Sequence, residues 1–194
     1  MPPLTATARA SRREEILDAA TRLFSERGFG PTGIDDIGEA VGITGPAVYR
    51  YFDSKDDLLV AVLERATQHA AAIVPRARAE ARDDAEALTL AVRYVADACF
   101  DERALTLLYW QEARNLSAQQ RQRFEAVQRE SIDDFAGVLT AVRPELSASA
   151  ARMAVHAAAS LMRSIATRPS SLDIDTQRHL ITTMAMAALM AAQP

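Results

Sequence analysis

The stretch VGITGPAVYRYFDSK, residues 41–55, encodes a turn followed by the start of a helix. Gly42 can adopt the positive φ angle of a tight turn, and Thr44 is a good helix N-cap because its hydroxyl can accept a hydrogen bond from a free backbone N–H. Pro46 follows in the first helical turn, where its missing N–H costs little. The stretch therefore predicts a short helix over residues 45–51, directly after a glycine turn.

Apolar residues recur at helical spacing along most of the chain, and no segment shows the alternation of a strand. We expect an all-α fold of about nine helices, with glycine, proline and capping residues at the helix ends. Ser11 and Ser54 begin capping patterns, and Pro75 is expected to end or kink the fourth helix because it lacks an N–H donor. The predicted helices cover residues 11–27, 33–41, 45–51, 54–74, 83–101, 103–114, 117–142, 147–167 and 174–192.

The two parts of the chain differ in composition. Short helices and glycine turns make up residues 1–53, whereas residues 54–194 form long, alanine-rich helices. We therefore expect a small N-terminal domain over 1–53 and a larger helical domain over 54–194.

Composition also excludes several classes of protein. The net charge is −4, so any contact with nucleic acid must come from a local basic patch. Cys99 is the single cysteine, which excludes an internal disulfide and a thiolate cluster, and no His-Glu metal spacing occurs; we expect no metal and no cofactor. Without a signal peptide or an apolar run that could span a bilayer, the chain is expected to be soluble and cytoplasmic, with no membrane contact.

The helix predicted after the turn has two different sides. Val48 and Phe52 lie four residues apart and are expected to face inward, which leaves polar groups outside. Arginine can bond bidentately to guanine, and threonine and tyrosine hydroxyls can reach phosphates. Two short helices with a glycine turn match the helix-turn-helix that enters a DNA major groove. The alternative is a packed helix corner in which Arg50 only lies along the surface.

The stretch from Ile16 to Leu59, with GFGPTGIDDIGEAVGITGPAVYRYFDSKDDLL at its centre, resembles the N-terminal DNA-binding domain of TetR-family transcriptional regulators. Gly33 stands where this family more often has serine or threonine, and Gly38 where alanine is common. The matching motifs are Gly28-Phe29, Thr32, Ile37, Ala40, Gly42-Ile43, Tyr49, Phe52, Ser54 and Lys55.

The resemblance implies a homodimeric, ligand-responsive regulator, most often a repressor, that binds double-stranded operator DNA. The glycine at position 33 removes one hydroxyl that could contact phosphate. An N-terminal basic arm could reach the adjacent backbone or minor groove, with a solvated terminus as the alternative. By position, the major groove would be lined by Thr44, Gly45, Pro46, Ala47, Arg50 and Tyr51, phosphates would be contacted by Thr32, Tyr49 and Lys55, and the arm would contain Arg9, Arg12 and Arg13.

The resemblance further implies that the rest of the chain binds a small molecule and dimerises through its last two long helices. Residues 151–166 and 180–192 are apolar around most of their circumference, which independently supports a paired-helix interface. Apolar and cationic residues near the scarce aromatics are candidate contacts for a lipophilic or acyl anion, with core packing as the alternative for each. These candidates are Phe100, Leu107, Leu108, Tyr109, Trp110, Arg114, Phe124, Met162 and Arg163.

The sequence also bears on two other classes of function. An all-α enzyme using Glu112, Arg114 or His156 is disfavoured because the chain has no phosphate-binding glycine loop, nucleophile elbow or closely spaced acid–base set. A helical dimeric module that binds a protein partner, without specific DNA binding, stays open. It would show no steep dependence of binding on salt.

Overall fold

The structure is a computed structural model that describes residues 6–192, apart from residues 102, 104–107, 109–111 and 113–115. Within this part of the chain every regular element is a helix, which confirms the all-α prediction. Most of the helix predicted over 103–114 lies outside the described residues. The helices with defined bounds are α1 (Ala6–Arg27), α2 (Ile34–Ala40), α3 (Gly45–Val48), α4 (Lys55–Glu80), α5 (Asp84–Asp101), α6 (Ala118–Val142), α7 (Ala148–Ala166) and α8 (Ile174–Ala191).

The capping patterns predict one helix start correctly and one wrongly. At the start of α4, Ser54 Oγ accepts a hydrogen bond from the Asp57 N–H at 3.0 Å and donates to Asp57 Oδ2 at 2.8 Å. The start predicted at Ser11 is wrong, because α1 begins at Ala6. The alanine-rich segment before Ser11 has high helix propensity, so the helix extends past the local capping signal.

Of the two effects predicted for Pro75, the end of the fourth helix is wrong, because α4 continues to Glu80; a kink at Pro75 stays a prediction. A proline inside a helix removes one hydrogen bond and costs about 3 kcal/mol. Val74 and Ala77, on either side of it, are both buried in an apolar core. Burial of this face accounts for the persistence of the helix, since most helical stability in proteins comes from packing.

α3 is shorter than the helix predicted over 45–51. After Val48 the chain continues in tight turns, in which the Arg50 N–H bonds to Ala47 O at 3.3 Å and the Tyr51 N–H to Val48 O at 2.9 Å. These are bonds to the third preceding residue, as in a 3₁₀-helix, so the chain tightens where an α-helix was expected.

The described chain divides into two compact units. Unit 1 comprises the chain up to Ala66 and the segment from Ala104 to Gln120. Unit 2 comprises the segment from Thr67 to Arg103 and the chain from Arg121 onward. The division falls within α4, and the domain boundary after residue 53 stays a prediction. The core of unit 1 contains the buried side chains of Ile16, Leu17, Leu23, Phe24, Ile37, Val48, Phe52, Leu58, Val62 and Leu63.

Unit 2 is a helical bundle in which α7 and α8 pack against each other and against α5. Its core includes Leu88, Val92, Leu139, Val155, Ile181 and Leu189, all of which are buried. Several large apolar side chains of α7 and α8 are instead exposed, namely Met153, Leu180, Met184 and Met190. None of the helices in the described part of the chain has a stretch both long and apolar enough to cross a membrane.

Arg143, directly after α6, caps the C-terminal end of α8. Its guanidinium donates hydrogen bonds to Leu189 O at 3.2 Å, Met190 O at 2.6 Å and Ala192 O at 2.9 Å. Carbonyl groups at a helix C-terminus lack intrahelical donors and carry partial negative charge, so a guanidinium there is favourable.

Replacing Arg143 with alanine is expected to lower the free energy of unfolding by about 1–3 kcal/mol, because three carbonyls lose a charged donor. Urea denaturation followed by circular dichroism measures this. Arg129→Ala is the control, since Arg129 makes only an exposed ion pair with Glu125 at 3.9 Å. A loss for Arg143→Ala as small as that of the control would contradict the cap.

Candidate nucleic-acid interface

α2 and α3 are joined by a tight turn that folds back on the end of α2. Gly42 has a φ of 71°, which confirms the predicted need for glycine there, since this conformation is strained for other residues. The carbonyl oxygen of Gly38 accepts hydrogen bonds from the Val41 N–H at 3.1 Å and the Ile43 N–H at 2.9 Å. The turn is therefore fixed by bonds to α2 itself.

Gly38 of α2 lies close to the backbone of the turn and the start of α3. A Cβ atom on Gly38 would lie 2.8 Å from Ile43 O and 2.9 Å from the backbone nitrogen of Gly45. Both are backbone atoms, which cannot move without shifting the turn. TetR-family regulators, which the sequence resembles, commonly have alanine at this position. Gly38 therefore allows α2 and the start of α3 to pack more closely than alanine would.

One side of α3 and its following turn is available to a ligand. Val48 and Phe52 are buried, as their spacing predicted. The Arg50 guanidinium and the Tyr49 phenol, which is half exposed, have no hydrogen-bonding partner among the described residues. Six of the predicted groove and phosphate residues are exposed or partly exposed on this segment: Thr44, Pro46, Ala47, Tyr49, Arg50 and Tyr51.

Gly45 differs from its neighbours on α3. It was predicted to line the major groove, but it is buried in the structure. Asp35 of α2 lies over it, because a Cβ atom on Gly45 would stand only 1.9 Å from Asp35 Oδ1. The surface at this position is therefore formed by the aspartate.

Thr32 is fully buried, and its hydroxyl serves the fold. Its Oγ1 lies 2.8 Å from Gly28 O and 3.2 Å from Leu23 O, so the hydroxyl donates to the carbonyls at the end of α1. A side chain with no exposed area has no route to a phosphate in this conformation. Its observed role is to hold the loop after α1.

Lys55 connects the loop between α1 and α2 to the start of α4. Its ammonium donates to Gly30 O at 3.2 Å and lies 4.4 Å from the ring centroid of Phe29. An ammonium has three N–H donors, so two are left for another acceptor. Lys55 is partly exposed and can hold the loop and contact a phosphate at the same time.

The N-terminal arginines lie in α1, not in the arm or free terminus that the sequence suggested. Arg12 Nη1 donates to Val41 O at 2.9 Å, at the end of α2, and Arg9 Nη2 donates to Arg50 O at 3.0 Å, just beyond α3. The Arg13 guanidinium lies 4.8 Å from the centre of the Phe52 ring. Two of the arginines thus bond to carbonyls that follow the two helices of the motif.

Arg65 of α4 fixes its helix to α1 within unit 1. Its guanidinium bonds to Asp18 Oδ1 at 2.6 Å and to Thr21 Oγ1 at 3.0 Å, and Glu14 Oε2 lies at 3.5 Å. The side chain is only 17% exposed. Nothing in the sequence spacing pairs residue 65 with residue 18, so sequence reasoning missed this cluster.

Two of the predicted ligand contacts that lie within the described residues share one core. Phe100 of α5 and Met162 of α7 are buried in the same apolar core of unit 2. Phe124 of α6 is buried, and Arg163 of α7 is partly exposed; Leu108, also buried, belongs to unit 1. Leu107, Tyr109, Trp110 and Arg114 lie outside the described residues. In the described part of the chain, no group of three or more His, Cys, Asp or Glu side chains could hold a metal ion.

Gly38→Ala is expected to destabilise the protein, because its Cβ would collide with the backbone of the turn. Overpacking typically costs about 1–3 kcal/mol, of which the higher helix propensity of alanine recovers at most ~1 kcal/mol. Thermal unfolding measures the net loss. Gly30→Ala is the control, because a Cβ there meets nothing within 4 Å. Equal unfolding temperatures for the two variants would refute the close approach.

Thr32→Val is expected to cost about 1–3 kcal/mol of stability, because the carbonyls of Gly28 and Leu23 lose the one hydroxyl donor that they share. Thr32→Ser keeps the hydroxyl and should lose clearly less. Chemical denaturation of both variants measures the difference. If Thr32→Val were as stable as Thr32→Ser, the hydroxyl would have no structural role.

Comparison with known proteins supports a helix-turn-helix in the N-terminal part of the chain. Residues 16–62 match the family model of bacterial regulatory proteins of the tetR family. The transcriptional activator FasR of Mycolicibacterium smegmatis is 34% identical over 84 residues, which are 43% of this chain and 38% of FasR. The transcriptional repressor KstR2 of Rhodococcus jostii is 41% identical over 63 residues, 32% of this chain and 31% of KstR2. The matched stretch thus spans less than half the length of these curated relatives.

Solved structures extend the likeness to nearly the whole chain at the level of the fold. A TetR-family regulator from Bordetella parapertussis superimposes with a TM-score of 0.78 at 20% identity, covering 92% of this chain and 94% of that one. The ketosteroid transcriptional regulator KstR2 of Mycobacterium tuberculosis gives 0.75 at 19% identity, covering 94% and 95%. The helix-turn-helix segment is thus matched in sequence by the tetR family model, and the helical fold is that of solved TetR-family regulators.

Proposed function

We propose that the chain is a non-enzymatic, ligand-responsive transcriptional regulator that binds operator DNA as a homodimer and acts as a repressor. The observation that carries the proposal is the set of exposed donors on α3 and the turn after it. This segment is held against α2 by the turn and by the burial of Val48 and Phe52. A short, firmly positioned helix with free polar groups is what readout of a major groove requires.

The free groups divide into base and phosphate contacts. Arg50 has an exposed guanidinium without a described partner, which suits a bidentate contact to guanine. Tyr49 and Lys55 can donate to phosphates. Thr44, Pro46, Ala47 and Tyr51 complete the surface, while the buried hydroxyl of Thr32 leaves that residue a positioning role. With a net charge of −4, these local cations must supply the attraction to DNA.

The exposed apolar side chains of α7 and α8 support the homodimer. Met153 is 71% exposed, and Leu180, Met184 and Met190 are each at least 40% exposed. Pairing α7 and α8 with the same helices of a second copy would remove these side chains from water. In such a dimer two α3 helices would need a separation of about 34 Å to enter successive major grooves.

The effector is proposed to be a small lipophilic molecule, such as an acyl or other lipophilic anion. The apolar surroundings of Phe100 and Met162, with Arg163 on the same helix as Met162, support this class of ligand. The structurally similar KstR2 of Mycobacterium tuberculosis is a ketosteroid transcriptional regulator, and ketosteroids are also lipophilic. To shift a DNA-bound population from 99:1 to 1:99, the effector must favour the released state by about 5.5 kcal/mol.

A protein that binds operator DNA works in the cytoplasm, so the proposed function implies a cytoplasmic location.

Binding of fluorescent DNA from upstream of the protein's own gene, followed by anisotropy at several salt concentrations, tests the proposal. We expect salt-steep binding with a preference over random DNA. Arg50→Ala should reduce that preference by about 5- to 150-fold, the equivalent of one lost bidentate base contact. Tyr49→Phe should weaken binding to all sequences without changing the preference.

Arg129→Ala, which removes an exposed cation from α6, is the matched control and should leave binding unchanged. Weak, salt-insensitive binding by the wild-type protein, or an Arg50→Ala variant with full sequence preference, would contradict the proposal. The first result would favour a module that binds a protein partner, and the second would mean that a residue other than Arg50 reads the bases.

A further inference from the structure

Asp35, in the first turn of α2, lies where a side chain at the start of α3 would otherwise be. A Cβ atom on Gly45 would stand 1.9 Å from Asp35 Oδ1 and 3.2 Å from Asp35 Cα. Asp35 is exposed, whereas Gly45 beneath it is buried. The glycine thus gives the aspartate carboxylate a place on the outer surface beside Thr44 and Pro46.

No hydrogen bond or ion pair within the described residues holds this carboxylate. The neighbouring Asp36 accepts a hydrogen bond from the Gly33 N–H at 2.7 Å and lies 3.5 Å from Arg27 Nη1. Asp35 has neither a hydrogen bond nor an ion pair with any described residue. It does not cap α3 either, because no bond joins it to the Gly45 N–H. A capping or ion-pairing role is therefore absent from the described part of the chain.

An unpaired carboxylate is unfavourable at a DNA surface unless it meets a donor. It repels phosphates, and in the major groove it also repels the O6 and N7 acceptors of guanine and the O4 acceptor of thymine. Cytosine itself presents the N4 amino group at the major-groove edge and has no acceptor of its own beside it. Adenine offers an amino group beside the N7 acceptor, which opposes the second carboxylate oxygen.

We propose that Asp35 reads a cytosine in the operator by accepting a hydrogen bond from its N4 amino group, and that Gly45 is required to make room for it. This inference rests on the proposed function, since α3 must enter the major groove to bring Asp35 to the bases. The inference adds a base contact from α2. It also makes Gly45 a determinant of specificity, because the absence of a side chain there leaves space for Asp35.

Selection of binding sites from a randomised DNA library, followed by anisotropy on single-base variants, tests this inference. We expect one position at which the wild-type protein prefers cytosine by about 5- to 150-fold. Asp35→Asn should lose that preference or shift it to adenine, which an amide can bind bidentately. Gly45→Ala should lose it as well, because the methyl group displaces the carboxylate. Preferences at the other positions should persist in both variants.

Asp53→Asn is the control, because Asp53 is exposed between α3 and α4 and has no described partner. It should raise the affinity for all sequences equally. If Asp35→Asn behaved in the same way, or kept every base preference, Asp35 would be a source of general repulsion and the inference would be wrong while the regulator function stood. Absence of any DNA binding by the wild-type protein would overturn both. Circular dichroism of each variant checks that it is folded.

Discussion

The helix-turn-helix depends on how closely the backbone of α2 can approach the start of α3. The space above Gly38 is so narrow that an added Cβ would lie 2.8 to 2.9 Å from backbone atoms of Ile43, Thr44 and Gly45. α3 has a single turn and cannot be stable as an isolated helix, so its orientation comes from these contacts and from the burial of Val48. The polar groups on its outer side are consequently held in fixed positions, which a base-reading surface needs.

Arginine serves two purposes in this chain, and the structure separates them. Arg9, Arg12 and Arg143 each donate to carbonyls at or beyond a helix C-terminus, where the partial negative charge of the helix favours a cation. Arg65 is engaged by carboxylates of α1. Arg50 differs from these four because its guanidinium is exposed and unbonded among the described residues. A chain rich in arginine therefore has few arginines beside α3 that are free to read bases.

Local signals in the sequence located the helices of the described residues, apart from several of their ends, and the core of unit 1. Residues such as Ile16, Leu23 and Phe24 follow the helical period, and all are buried. Local signals that compete with packing were misleading, as at Pro75, where the helix continues past the proline and the neighbouring residues are buried. Thr32 shows a further limit, because a buried hydroxyl that bonds to the backbone has the same sequence signature as one that contacts phosphate.

Partners distant in sequence could not be inferred from spacing. The Arg65 to Asp18 pair joins residues 47 positions apart, and the contact between Asp35 and Gly45 depends on the angle between two helices. The candidate ligand residues show the same difficulty, since Phe100 and Met162 share a core and apolar spacing cannot distinguish a wall of a cavity from ordinary packing. What the sequence did carry was the helix-turn-helix, through its glycine turn and its outward polar residues.

The central claim is that two copies of α3 enter successive major grooves of one DNA duplex. Hydroxyl-radical footprinting on the operator recovered by selection tests it directly. The account predicts protected patches on one face of the duplex whose centres are about 10 base pairs apart, in agreement with two recognition helices separated by one helical turn. A single patch, or no protection at concentrations where the protein is dimeric, would contradict it.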